Sequence, residues 1–146
     1  MKVVVAAPSN GLVLAGAIRD YLQADRRVDE VVDMLDPSGG YPQVSVRAAE
    51  VIARGDADRA VLVCGTGIGT AIAASTVTGV RAATAHDLFS VVGAVANYDA
   101  QILCMGQNVI AAPAALPLID AWLEASHDPE GPYGPMLKEL KELAGA

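Results

Sequence analysis

The chain has no lysine or arginine cluster, few aromatics and only two cysteines, and each shortage excludes a class of protein. Its 10 basic residues are scattered among 17 acidic ones, for a net charge of −7. Nucleic acid is held by clustered cations that displace phosphate counterions, so no nucleic-acid partner is expected. A phosphorylated ligand would have to bind through local donors against the general field. No apolar run reaches the roughly 18–20 residues that span a bilayer, so no membrane partner is expected either. The segment Met1-Lys2-Val3-Val4-Val5 lacks the length and cleavage pattern of a signal peptide and reads as a first buried strand, which sets the expectation of a cytoplasmic protein. Cys64 and Cys104 would make one bridge at most, and nothing points to an oxidising compartment. Two cysteines and two histidines at no zinc-finger spacing give a metal site little support, so none is expected.

What the chain has is apolar bulk. Hydrophobic residues make up 53% of its 146 positions and charged residues 18%, which excludes disorder and suggests burial that extends to a subunit interface. The length allows one domain with a real core, residues 1–146, and is too short for two ordinary ones. Alanine and valine supply most of the apolar share, as expected of short Ala-rich helices packed on Val-rich strands.

Strand and helix patterns alternate along the whole sequence. Buried strands are expected at Val3–Ala7, Val28–Met34, Arg59–Cys64, Arg81–Ala85 and Ile102–Met105. Helices are expected at Leu12–Gln23, Val44–Arg54, Ile68–Ser75, Leu88–Asn97 and Ala114–Ala125, with a last one at Pro135–Leu143. This alternation predicts an α/β fold, a parallel sheet with helices on both faces. The Pro/Gly-rich stretch Asp128–Pro135 suggests that the tail helix, about 135–146, leaves the domain and packs on a partner subunit.

The most informative stretch is Val61-Leu62-Val63-Cys64-Gly65-Thr66-Gly67-Ile68-Gly69-Thr70. An apolar strand runs into a loop with glycine at every second position, and an Ala-rich helix follows. Such a loop turns backbone N–H groups towards one point beside a positive helix N-terminus, a nest for phosphate or a developing oxyanion. The spacing is not the G-x-G-x-x-G of dinucleotide binders, and the Gly-Lys-Ser/Thr ending of a Walker loop is missing. A thiol placed immediately before the nest would have a lowered pKa and supply thiolate. The alternative is a buried cysteine that ends a strand by chance, and the plain reading of Cys104 is also a small buried hydrophobe.

Val63-Cys64-Gly65-Thr66-Gly67-Ile68-Gly69, followed by Ile72-Ala73-Ala74, resembles the signature loop of the ribose-5-phosphate isomerase B and galactose-6-phosphate isomerase family. Further resemblances follow in order: Tyr41-Pro42; Gly79-Val80-Arg81-Ala82-Ala83; His86-Asp87 and Ser90; and Asp99-Ala100 with Leu103-Cys104-Met105-Gly106 and Val109-Ile110. The similarity spans roughly Met1 to Leu123. It implies a Rossmann-like three-layer α/β/α fold with a five-stranded parallel sheet. It also implies a homodimer or dimer of dimers, with an active site shared between subunits. The implied reaction is aldose–ketose isomerisation of a small sugar or sugar phosphate through an enediolate, with no cofactor. Cys64 would be the base and the Gly65, Gly67, Ile68 and Gly69 amides the oxyanion nest. Thr66 would bond a sugar hydroxyl, and Tyr41 would pack on the sugar.

The departures from the family pattern are equally specific. Pro8-Ser9-Asn10-Gly11 stands where the family carries an Asp-His pair, which puts Ser9 and Asn10 at the substrate. The family's ring-opening His aligns with Asn97, the next position is Tyr98, and a phosphate-binding Arg aligns with Asn108. Gly131-Pro132-Tyr133-Gly134-Pro135 replaces a stretch that supplies further phosphate arginines. Each charge-assisted bond to phosphate is worth about 1.5–3 kcal/mol, so standard ribose 5-phosphate is not the expected substrate.

Three readings are open. The substrate is a short open-chain sugar such as a tetrulose phosphate; or it is unphosphorylated and read by Asn10, Asn97, Asn108 and Tyr98; or the chain is a non-catalytic sugar-binding relative or partner subunit. The kept thiol disfavours the last, and redox use is remote because no resolving cysteine has a recognisable spacing. His86-Asp87 reads as a helix cap or a substrate contact, Arg81 as an anion anchor or a surface ion pair, Lys138 and Lys141 as phosphate contacts from a partner's tail or, by their spacing, a solvated face, and His127 as solvated.

Overall fold

β-Branched and alanine-rich runs settle into alternating strands and helices, which the computed structural model describes over residues 1–145. In chain order these are β1 (Lys2–Ala7), α1 (Leu12–Gln23), β2 (Glu30–Leu35), α2 (Tyr41–Ala53), β3 (Arg59–Cys64), α3 (Ile68–Ala74), β4 (Ala82–Thr84), α4 (Leu88–Tyr98), β5 (Ile102–Gly106), α5 (Ala112–Glu124) and α6 (Gly134–Leu143). Among the described residues the five strands form one parallel sheet in the order β2-β1-β3-β5-β4. The expected Rossmann-like α/β/α layering is the observed fold. No helix among the described residues is long and apolar enough to cross a membrane.

Strand alternation divides the core into two layers. Val3, Val5, Val61, Val63, Leu103 and Met105 face α1, α4 and α5, where Ile18, Leu22, Val91, Ile119 and Trp122 are buried. Val4, Ala6, Leu62, Ile102 and Cys104 face the other way, onto Val44, Ala48, Ala49 and Ile52 of α2 and Ala74 of α3. The three central strands β1, β3 and β5 are therefore apolar on both sides, as in sheets covered on both faces.

Differences from the expected boundaries lie at ends and edges. α2 begins at Tyr41, three residues early, because Pro42 has the φ a first helical turn requires. β4 is only three residues long, since the Arg81 N–H is bonded by the Gln101 side chain. A short 3-10 turn at Ser9–Gly11, which the sequence did not announce, sits between β1 and α1. The tail helix α6 rests on its own chain through buried Leu137 and through Tyr133, whose ring meets Tyr98 edge-on at 6.0 Å. Met136, Leu140 and Leu143 of α6 stay exposed, and the last residue expected in this helix, Ala146, lies outside the described residues.

Candidate active site

The chain runs from β1 outwards to β2 in one direction and from β3 outwards in the other, so β1 and β3 flank the topological switch point of the sheet. Open α/β sheets bind ligands at the carboxyl ends of the strands at this point. Pro8 to Gly11 follow β1, and Cys64 is the last residue of β3. Gly11 makes this meeting possible: a Cβ there would run into the Val63 carbonyl, so only glycine lets the β1 turn lie against the end of β3.

The Cys64 side chain is buried, and its sulfur is surrounded by hydrogen bonds. The Gly67 N–H donates to Sγ at 3.2 Å, and the Thr70 hydroxyl lies 3.6 Å from it. Gly67 turns the loop back with φ of 76°, a left-handed conformation that favours glycine, and opens α3. Burial pushes the thiol up, but the Thr70 hydroxyl and the amides of Thr70, Thr66 and Gly67 outweigh it and hold Cys64 below its ordinary pKa. Cys104 lies on the same sheet face, one strand over. Burial there pushes its thiol up to about 12, so Cys104 is inert.

The nest is divided between two tasks. The Gly67 amide goes to the sulfur, and the Ile68 amide goes to the Thr66 hydroxyl oxygen at 3.1 Å. Gly65 and Gly69 keep N–H groups free of any partner among the described residues. Thr66 is exposed at the loop crest, its hydroxyl proton free because its oxygen is the acceptor.

Asn10, Asn108 and Tyr41 converge on this loop. A Cβ at Gly65 would sit 3.2 Å from Nδ2 of Asn108 and 3.3 Å from Nδ2 of Asn10, and one at Gly69 would sit 3.0 Å from the Tyr41 ring. Ser9 is exposed in the same turn as Asn10. Asn97 and Tyr98 stand apart, on the last turn of α4, where they line a separate hollow of about 270 Å³ with Thr84, Phe89 and Gly93.

The remaining candidates resolve into structural roles. Asp87 caps α4, accepting the Ser90 N–H at 2.8 Å. His86 Nε2 accepts the Gly106 N–H at 2.8 Å, and burial lowers its pKa, so the ring is neutral with its proton on Nδ1. Arg81 is no anion anchor. Its guanidinium bonds the Tyr98 and Asp99 carbonyls at the end of α4, both at 2.8 Å. Arg59 likewise clamps the Trp122 and Ala125 carbonyls at the end of α5 and lies 5.4 Å from the Trp122 ring centre. His127, expected to be solvated, is half-buried with Nδ1 2.8 Å from the Ala96 carbonyl.

Thr70 and Thr84 are the residues that sequence reading passed over. Their hydroxyls both donate to the Gly67 carbonyl, at 3.2 and 2.7 Å. A signal for Thr70 was present: it shares the i, i+3, i+4 face of α3 with buried Ala73 and Ala74, so its hydroxyl points inwards.

Fold and site together define a class: an α/β protein with an activated thiol and a glycine loop at its switch point. A family profile described as Ribose/Galactose Isomerase matches residues 3–139, and the chain belongs to that family of isomerases. It is 42% identical to D-erythrulose-4-phosphate isomerase 2 of Mycolicibacterium smegmatis, over 100% of this chain and 99% of that one. It is 37% identical to D-erythrulose-4-phosphate isomerase of Pectobacterium atrosepticum, over 90% and 88% respectively. Among solved structures, ribose-5-phosphate isomerase B of Clostridium thermocellum superposes with a TM-score of 0.89 at 31% identity, covering 99% of this chain and 98% of that one.

Proposed function

We propose that the protein interconverts a four-carbon ketose phosphate of the D-erythrulose 4-phosphate kind and its aldose, with Cys64 thiolate as the base. The observation that carries this reading is the Cys64 sulfur at the end of β3, held by the Gly67 amide at 3.2 Å beside Thr70. From the ketose, the thiolate takes a C1 proton, the C–H electron pair becomes the C1–C2 double bond, and negative charge collects on the C2 oxygen. The Gly65 and Gly69 amides are the donors for that oxygen. Cys64 returns the proton to C2 while the C1 hydroxyl proton passes to the C2 oxygen and the C1 carbonyl forms, giving the aldose. Thr66 bonds the C1 hydroxyl, whose proton moves between the two oxygens. Ser9, Asn10, Asn108 and Tyr41 hold the sugar.

A four-carbon substrate accounts for the departures in the sequence. A tetrulose phosphorylated on its terminal hydroxyl cannot close a five-membered ring, so Asn97 in place of a ring-opening His costs nothing. The missing arginines are not replaced from elsewhere in the fold. Of the seven arginines, Arg19, Arg27, Arg47 and Arg54 pair with carboxylates, Arg59 and Arg81 bind carbonyls, and Arg26 is exposed just after α1. Two relatives over nearly the whole chain carry erythrulose-phosphate names. In this reading the working unit is a homodimer or a dimer of such dimers. The apolar side of α4, with exposed Leu88 and Phe89 beside half-buried Val92, lies against the partner and delivers Asn97 and Tyr98 to its Cys64 cleft.

The test is proton exchange followed by NMR in heavy water, with erythrulose, ribulose, xylulose and fructose offered with and without terminal phosphate. Deuterium entering the tetrulose phosphate beside its carbonyl, with ribulose 5-phosphate inert, is the expected result. Exchange confined to unphosphorylated sugars would overturn the substrate assignment, and no exchange across the panel would overturn the isomerase reading of this site.

A further inference from the structure

We propose that Thr70 is a positioning residue whose hydroxyl proton swings between the Gly67 carbonyl and the Cys64 sulfur, keeping Cys64 hydrogen-bonded whether or not it carries a proton. The inference rests on the reading of Cys64 as a base that alternates between thiolate and thiol in every turnover. Thr70 is fully buried, and Oγ1 lies 3.2 Å from the Gly67 carbonyl oxygen and 3.6 Å from the Cys64 Sγ, a contact in which either atom can donate. While the hydroxyl donates to the carbonyl, its lone pairs face the sulfur and accept from the S–H. Once Cys64 has lost its proton, a lone pair facing sulfur becomes repulsive, and the hydroxyl gains by turning its hydrogen onto the thiolate.

Such a turn normally leaves a buried carbonyl without a partner, at a cost of about 1–3 kcal/mol. Here it does not, because the Thr84 hydroxyl donates to the same carbonyl at 2.7 Å. The heavy atoms need not move. Branching at Cβ restricts χ1 of Thr70, so only the hydroxyl hydrogen rotates. The Cys104 thiol on β5 also meets the Thr70 hydroxyl, but it carries no charge to compete with the Cys64 thiolate. Cys104 on β5 keeps its proton, His86 on the turn before α4 is neutral and bound to Gly106, and the Tyr41 ring from α2 lies on Gly69. Among the described residues, no charged side chain is hydrogen-bonded or ion-paired to Cys64.

The test is the pH dependence of Cys64 alkylation by iodoacetamide in the absence of substrate, read by mass spectrometry for wild type, Thr70→Val and Thr70→Ser. Unreactive Cys104 serves as the internal control. Valine keeps the volume and leaves the Gly67 carbonyl bonded to Thr84, so the variant should fold; melting curves check this. The expected midpoint for Thr70→Val lies about one pH unit higher, a tenfold loss of thiolate near neutrality. Thr70→Ser should stay close to wild type and restore isomerisation. An unmoved midpoint in Thr70→Val would overturn the proposal, and so would a Thr70→Ser shift as large as that of valine. Because the alkylation needs no substrate, failure of the tetrulose assignment leaves this result standing, and failure here leaves the isomerase reading intact.

Discussion

At the scale of single residues, a proton-moving thiol needs a supply of thiolate near neutral pH and a stable place for the proton it takes. In the mechanism proposed above, Cys64 has the first through the Gly67 amide and the second through Thr70. Its folded pKa lies below the ordinary thiol value of 9.0, so the active form accumulates as pH rises and turnover should level off below pH 9.0. Cys64→Ser removes a base of usable pKa and should cost about a thousandfold or more in turnover, with the fold and substrate binding retained. The acid limb of the pH profile should vanish with it. Steady-state kinetics from mildly acidic to alkaline pH, together with a binding isotherm for the variant, check both points.

Cys64 was legible because strand, cysteine and alternate glycines form one contiguous word in the sequence. Asn10, Asn108 and Tyr41 were reached only through resemblance, since they come from three separate connections that the sheet gathers. The engagement of Gly67 and Ile68 within the loop was not legible. Alternate glycines promise free amides, and which of them point outwards depends on where the cysteine and threonine side chains fall.

At the scale of elements, the strands of the central sheet were read almost to the residue, because burial on both faces leaves only apolar residues to choose from. The edges were read poorly. β4 is cut short where a glutamine side chain takes a strand N–H, and α2 is lengthened by a proline that favours its first turn. The turn between β4 and α4 adds a pH-sensitive tie. His86 accepts from the Gly106 amide only while Nε2 is unprotonated, and burial lowers its pKa from the ordinary 6.5. Because the folded state resists protonation there, this contribution is complete above 6.5 and is lost as pH falls through the lower folded value.

Urea midpoints should therefore fall between about pH 8 and pH 5, and His86→Gln, which can accept the same bond without titrating, should flatten that fall. An unchanged slope in the variant would rule His86 out as its source. Carboxylates respond in a different range: Asp25, held down to about 2 by its bonds to the Arg27 side chain and amide, loses its contribution only far below this window.

At the scale of the molecule, the features that sequence composition foretold and the single chain leaves open concern surfaces. An apolar share of 53% exceeds what the two core layers take up, and the surplus stands on the outward sides of α3, α4 and α6 as Ile68, Ile72, Phe89 and Leu140. Composition announces such a surplus without saying where it goes, because that depends on which side of each helix the sheet claims.

The engagement of the arginines has a kinetic consequence. With a net charge of −7 and six of its seven guanidinium groups turned to carboxylates and helix ends, the protein approaches a sugar phosphate as one anion meets another. Capture is then slowed by the long-range field, which ions in solution screen over about 10 Å at 0.1 M salt. Raising sodium chloride from millimolar to physiological concentrations should increase kcat/KM while leaving kcat unchanged, the reverse of an enzyme that draws its anionic substrate in with exposed cations. Stopped-flow or steady-state kinetics at graded ionic strength would register the sign directly. For this molecule, background electrolyte should act as an accelerator.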